Sequence, residues 1–455
     1  RRAPAASVVA ATLAACLLTG ARHAEAQTLP NNGDGNGDGD GIGSGIQWEE
    51  IEVQSTPFAE LACLNRSFPG VTFAGGFVLA SGDARFGGWS GLVTHAQKEG
   101  SPSPSQLSLT AVSDVGYWLG MDLGATGVSN CSISPLLDTR GAPLIDRHKL
   151  WSDAESVVEV AAGGAGERAF LVSFEEEDRI WLYRDAGSPA RSDAPILSLA
   201  SEILRENCGF NAGAEGIEVL QGDGGLLMFC EDALASHADV FPGWVISVAN
   251  GRQDFKVVAL FLKVTDGYRP TDLATLGNGD VAVLERMYDG THLGMRLEVI
   301  PRDRLAPPPA TVTRPARVLE ATKCGRGANH VDNMEGLAVH YDEATQVLRI
   351  LAISDDNFNK PVQETVLLDF EVSDVPSLEE YVRRTAGTEA LGRGDATLAG
   401  MSIAVAVCVM LAVGAALGSA LVLIVLRVEA KRKAEAYRWV QLSTCTAIDD
   451  ADEEA

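Results

Sequence analysis

The chain has 455 residues and a formal net charge of −26, from 36 Lys and Arg against 62 Asp and Glu. A surface of that sign repels nucleic acid and free polyanions and attracts cations, and it also favours solubility. The length allows a large core and, unless a repeat fold intervenes, several domains.

Residues 1–26 open with Arg1 and Arg2, continue in an apolar run at 8–18, and end in a small-x-small pattern at 23–26. This predicts a secretory signal peptide, because the run is too short to span a bilayer. Residues 27–45 form a Gly/Asp-rich linker. Asp34, Asn36, Asp38 and Asp40 alternate with Gly like the first half of a calcium loop, but Gly45 or Gln47 stands where such a loop needs its bidentate Glu. Gly at every second position favours a flexible acidic linker.

From 46 to 375 short apolar, β-branched runs are broken by Gly, Asp and Asn, which predicts strands throughout. A small or acidic residue leads into an apolar run in SGLV (90–93), AESV (154–157), EGIE (215–218), TDLA (271–274) and EGLA (335–338). The interval is about 60 residues. Each is followed by a strand ending in an acid or its neighbour: LTAVSD (109–114), FLVSFE (170–175), LLMFCE (226–231), VAVLER (281–286) and LAISDD (351–356). Third strands are expected at 117–123, 179–184, 244–248, 295–300 and 365–372. Fourth strands are expected at 133–137, 195–199, 257–264 and 316–321. The fifth unit runs out of chain, and the run at 72–80 is free to complete it.

This arithmetic predicts an all-β protein: a β-propeller of five four-stranded blades, closed by a shared first-and-last blade. Residues 46–85 leave room for a sixth blade. A two-sheet sandwich would explain the strands but not the regular spacing of the carboxylates. The ectodomain holds Cys63, Cys131, Cys208, Cys230 and Cys324, an odd set that leaves at least one without an internal partner. Asn65 and Asn130 begin glycosylation sequons.

In a propeller the innermost strand of each blade lines the axis. Glu155, Glu215, Asp272 and Glu335, at the starts of those strands, are therefore expected to converge on one mouth. Asp114, Asp355 and Asp356 end neighbouring strands and could add ligands or orient them. Like charges gathered in a confined site need raised pKa values or a cation, and calcium suits a loose cage of oxygens. The structural alternative is that these acids cap blade turns. Arg269, Arg286 and Lys360 are the cations nearest the repeats and the weak candidates for binding phosphate, each otherwise a surface ion pair. There is no GxSxG elbow, HExxH helix or Walker loop.

Taken as an ordered set, GGWSGL (87–92) with VSD (112–114), DAES (153–156), NAGAEGI (211–217), YRPTDL (268–273) with VLER (283–286), and NMEGLA (333–338) with SDDNF (354–358), Gln363 and Thr365 resemble the phytase-like family, described by esterase-like activity of phytase. The resemblance spans about residues 73–372. It implies a propeller and hydrolysis of phosphate or other esters, which without a nucleophilic side chain calls for a metal. The rival reading is a non-enzymatic propeller that binds a ligand or a cell surface.

Residues 376–395 read as a juxtamembrane stalk. Residues 396–426 carry no charge and are long enough to cross a ~30 Å hydrocarbon core as one helix. Arg427, Lys431, Arg432, Lys433 and Arg438 follow directly. The expected topology is single-pass type I in the cell membrane or an endomembrane, propeller outside or lumenal and residues 427–455 cytosolic. Gly414 and Gly418 form a GxxxG face that could support a homodimer. Tyr437 and Val440 match a tyrosine sorting pattern, or else belong to a membrane-edge segment around Trp439.

Overall fold

The computed structural model describes residues 48–390, except 96–105, 146–148, 162–167, 210–212, 221–224, 249–254, 290–291, 307–310, 324–329, 344 and 361. The expected signal, linker, membrane helix and tail, with Gly414, Gly418, Tyr437 and Val440, lie outside the described residues. Among those described, no helix is long and apolar enough to cross a membrane.

Five antiparallel meanders stand around an axis, and their innermost strands neighbour one another in a closed circuit. The first blade runs outward through Trp89–His95, Leu107–Ser113, Tyr117–Gly124 and Gly127–Pro135. The second has Ala154–Ala161, Arg168–Phe174, Arg179–Tyr183 and the short Ala190–Arg191. The third has Ala214–Val219, Leu226–Cys230, Val240–Val248 and Phe255–Lys263. The fourth has Arg269–Thr275, Val281–Tyr288, Leu293–Ile300 and Ala316–Thr322. The fifth has Asn333–Asp342, Val347–Asp355 and Thr365–Val372, and the N-terminal strand Val71–Ala80 completes it, which closes the ring.

Residues 46–85 do not build a sixth blade. Their strands are shared out as outer edges: Glu49–Glu50 on the first blade, Leu64–Arg66 on the fourth, and Gln54–Phe58 on the fifth beside Val71–Ala80. The sheets therefore hold four to six strands rather than four each. Extra strands cover edges that would otherwise offer unpaired backbone to another chain.

The strand expected at 195–199 is instead the start of a helix, Pro195–Asn207. Pro sits in its first turn, and Ile196, Leu197, Ala200, Ile203 and Leu204 are buried at helical spacing. Five residues were too few to separate the two periods. The helix covers the second blade, where the Ser201 hydroxyl accepts the Ile180 N–H at 3.1 Å. The segment read as a stalk begins as a second docked helix, Val375–Thr385, capped by Asp374 and burying Leu378 and Val382. Its Tyr381 hydroxyl donates to the Arg317 carbonyl at 2.7 Å. Gly387–Ala390 then adds an edge strand to the third blade through Thr311–Arg314.

Separate apolar clusters sit between successive blades. Leu351, Ile353 and Leu367 of the fifth meet Leu92, Leu109 and Ala111 of the first. Val112 and Trp118 meet Val157, Val172 and Phe174 of the second. Leu227 and Phe229 of the third meet Leu273 and Val283 of the fourth. Burial on both faces explains why the strands read as near-continuous apolar runs. Cys208 and Cys230 form a disulfide, Cys63 is disulfide-bonded, and Cys131 is a buried free thiol.

Candidate acidic cup at the propeller axis

Every innermost strand carries a β-bulge at the same position. The register skips Ser90, Glu155, Glu215, Thr271 and Glu335, one per blade. A bulge leaves its extra residue unpaired and re-aims its side chain. These five residues form a first tier around one mouth. The second strands end at that mouth, and the residues there form a second tier: Asp114, Glu175, Glu231, Arg286 and Asp355. The backbone confirms the equivalence, since Asp114, Glu175 and Glu231 donate their N–H groups to Gly88, Asp153 and Gly213. The two tiers thus gather three glutamates and four further acids around one guanidinium.

Asp272, expected among the converging acids, is not part of either tier. It lies one residue past its bulge, where the other blades have Gly91, Ser156, Gly216 and Gly336. One of its oxygens accepts the Ser156 hydroxyl at 2.7 Å and the Leu273 N–H at 2.9 Å, and the other accepts the Leu337 N–H at 2.7 Å. It therefore ties the second, fourth and fifth blades together. A Cβ on Gly91 would stand 2.8 Å from the Val157 nitrogen, and one on Gly336 would stand 3.0 Å from the Gly91 carbonyl carbon. The inner strands close tightly at this level, which gives the cup a floor.

Burial and crowding set the charge state. Burial, then repulsion from Glu215, Asp153, Glu335 and Glu175, hold Glu155 well above the usual carboxylate range. Glu215 is raised in the same way by burial and by Glu231 and Glu175. Burial and Asp153 push Glu175 up to about 8. Burial, Glu335 and Asp114 push Asp355 up to about 9. Burial raises Glu335 too, with Arg286 opposing. Burial also raises Asp114 and takes Asp153 to about 6, both against the pull of Lys149. Arg286 stands 3.0 Å from both Glu231 and Glu335, and these charges outweigh its own burial and keep it protonated.

Of the other expected residues, Asp356 serves the walls: its Oδ1 accepts the N–H groups of Gly88 and Phe358. Arg269 is half-exposed and pairs with Asp232 and Glu231 at the rim. Lys360 is exposed on the loop after Asp356. Asn65 and Asn130 are both exposed, and the Asn130 amide donates to Asp122.

Sequence reasoning missed Asp153, Glu175 and Glu231 as site residues. Donor oxygens of Asp153, Glu155 and Glu175 all lie within 4.8 Å of one another, as do those of Glu175, Glu215 and Glu231. Asp153 is fully buried, and neither of its carboxylate oxygens has a hydrogen-bond partner. Lys149 is its nearest cation, 3.4 Å from Oδ1. A buried carboxylate balanced by one exposed ammonium is costly, and the all-oxygen set around it fits a hard divalent cation. Arg286 stands 3.0 Å from Glu231, whereas the more exposed Lys149 stands 3.4 Å from Asp153, so the set around Asp153 is the less neutralised of the two.

The fold and this cup define a β-propeller with a polar, acid-lined axial mouth. A family model described as "Phytase-like: Esterase-like activity of phytase" matches residues 84–358, more than half of the chain. The chain belongs to the phytase-like family. No curated protein matches it in sequence. Among solved structures, one described as a gluconolactonase candidate is 9% identical with a TM-score of 0.34, covering 77% of this chain and 97% of its own. An endo-1,4-β-xylanase from Bacteroides thetaiotaomicron is 8% identical with a TM-score of 0.33, covering 59% of this chain and 86% of its own. The tail fiber of Staphylococcus aureus phage P68 is 10% identical with a TM-score of 0.31, covering 76% of this chain and 58% of its own.

Proposed function

We propose that the cup is the active site of a calcium-dependent ester hydrolase, with Asp153, Glu155 and Glu175 holding the ion and Glu215 beside them. The observation that carries this reading is the fully buried carboxylate of Asp153, which faces two further acids with the exposed Lys149, 3.4 Å away, to balance it. A bound calcium would supply Lewis-acid polarisation of an ester oxygen and a more acidic water. The protein's own groups do the rest. Arg286 offers the one buried positive charge at the second tier, where negative charge developing on an ester oxygen would be stabilised. Asp355, at about 9, keeps a proton at neutral pH that it can give to a leaving group. The bulges hold the first-tier glutamates on rigid strands above the Asp272 floor, so the donor set is positioned before substrate arrives.

The disulfides, Cys208–Cys230 and the one formed by Cys63, favour an oxidising compartment. With residues 396–426 as anchor, the propeller would stand on the outer or lumenal side of its membrane. The test is turnover by the full-length chain on a panel of carboxylic and phosphate esters with calcium or with EGTA. Calcium-dependent turnover of at least one ester that Glu155→Gln abolishes is expected. Turnover indifferent to both chelator and substitution would overturn the reading.

A further inference from the structure

The cup has two resident cations, and they are held differently. The Arg286 side chain is 26% exposed and sits among three acceptors, the Asn333 side-chain oxygen, Glu231 and Glu335. The Lys149 side chain is 58% exposed, on the side of the first and second blades, and its ammonium stands 3.4 Å from both the Asp114 and the Asp153 carboxylates. The backbone around Lys149 is fixed. Its carbonyl accepts the Asp153 N–H at 3.1 Å, and the Ser152 hydroxyl donates to the Asp114 carbonyl at 3.3 Å. The side chain is freer, because an ammonium on a flexible four-carbon stem makes point-charge contacts without the fork that locks a guanidinium. Burial opposes its charge, but Asp153, Asp114 and Glu155 outweigh burial and hold the amine above its ordinary pKa. Lys149 is thus the counter-ion of a carboxylate that also belongs to the proposed calcium set.

We propose that Lys149 is a tethered counter-ion that calcium displaces, so that the site fills by exchanging one cation for another, at a calcium threshold that Lys149 raises. This rests on the calcium reading of the cup and adds its regulation. A calcium ion bound to Asp153 would sit about 2.3–2.6 Å from its oxygen. The ion and the ammonium would then crowd one carboxylate, and like charges so close repel. The ion faces three carboxylates whose donor oxygens lie within 4.8 Å of one another, whereas Lys149 pairs with one of the three and is half in water. Exposed ion pairs are weak, so the ammonium is the cation that leaves. Without calcium it spares buried Asp153 and Asp114 from standing uncompensated. With calcium it is released to the rim. Each binding event then includes the breaking of two ion pairs, which raises the calcium concentration at half-saturation. Arg286 takes no part in the exchange, because its partners Glu231 and Glu335 lie outside the proposed set.

The exchange is read on the amine itself. The full-length chain is treated with sulfo-NHS acetate, which acetylates free amines, in EGTA or in saturating calcium, and each lysine is followed by mass spectrometry. Lys149 should be acetylated several-fold faster in calcium, because the released amine loses the carboxylates that held its proton. Lys256, exposed on the third blade, should keep its rate and serves as the control. Calorimetry should find that Lys149→Gln binds calcium about fivefold more tightly than wild type, since two exposed pairs no longer compete. The labelling uses wild type alone, so it decides the matter if the variant fails to fold in thermal melts. Calcium binding that leaves Lys149 acetylation unchanged or slower overturns the proposal and leaves the calcium site standing. So does a folded Lys149→Gln with affinity equal to or below that of wild type. No calcium binding by folded wild type refutes the calcium reading itself, and the exchange with it.

Discussion

Asp153→Asn separates a metal ligand from a structural acid through a change of sign. Asp153 is fully buried beside Glu155 and Glu175, and its carboxyl is raised from 3.8 to about 6. Keeping it ionised at neutral pH therefore costs about 3 kcal/mol. The Asn amide removes that charge and can donate to a neighbouring carboxylate. In EGTA the variant should be more stable than wild type, by up to about 3 kcal/mol, or roughly 5 °C in Tm for a domain of this size. Calcium at a hundred times its Kd should stabilise wild type by about 2.7 kcal/mol, again roughly 5 °C. The variant should lose most of that increment. Differential scanning fluorimetry of the full-length chain, with EGTA or calcium, reads both numbers. A variant less stable than wild type in EGTA, with the calcium increment intact, would refute the assignment.

Three further outcomes follow from the same geometry. In EGTA, Tm should fall as pH rises from about 5 to 9. Glu175 at about 8 and Asp355 at about 9 bind protons in the folded state that the unfolded chain has already lost, so stability drops as pH rises through that window. Calcium should flatten the slope, and a Tm rising across this range contradicts the tier chemistry. Arg286→Met should destabilise the calcium-free protein by about 3–5 kcal/mol, because Glu231 and Glu335 lose their buried partner. Its calcium affinity should increase by calorimetry, and a decrease would place Arg286 elsewhere in the scheme. Asp272→Asn should cost about 1–3 kcal/mol in urea melts by spoiling one of three accepted hydrogen bonds. Its calcium affinity should not change, and a large loss would return Asp272 to the ligand set.

The repeat spacing made the propeller legible because each blade begins and ends with the same strand pair. Ring closure by the strand at 71–80 was legible for the same reason, since the fifth unit lacked its outer strand and an unassigned run preceded the first. The outer edges were not. Glu49–Glu50 and Leu64–Arg66 are too short to carry a period, and a helix of the same burial stands where a fourth strand was expected at 195. In the site, aligning TDLA with EGLA by its acid placed Asp272 with the glutamates. The bulge register instead makes Thr271 the counterpart of Glu335, so a one-residue shift converts a cup acid into a floor bolt. Glu175 and Glu231 carried a readable signal, as both end FLVSFE-type strands at the position of Asp114. Asp153 carried none: its counterparts are Gly88, Gly213, Arg269 and Asn333, and only coordinates reveal that it is fully buried beside Glu155 and Glu175.

The central claim is that acids from separate blades act as one cation site. Its direct measurement is calorimetric titration of calcium into the full-length chain at pH 8, in two buffers of different ionisation enthalpy, for wild type and Asp153→Asn. The account predicts one calcium per wild-type chain, proton release that shifts the observed heat between buffers, and loss of that binding in the variant. Calcium heats identical in both buffers and unaltered by the substitution, or no heat at all, would contradict it.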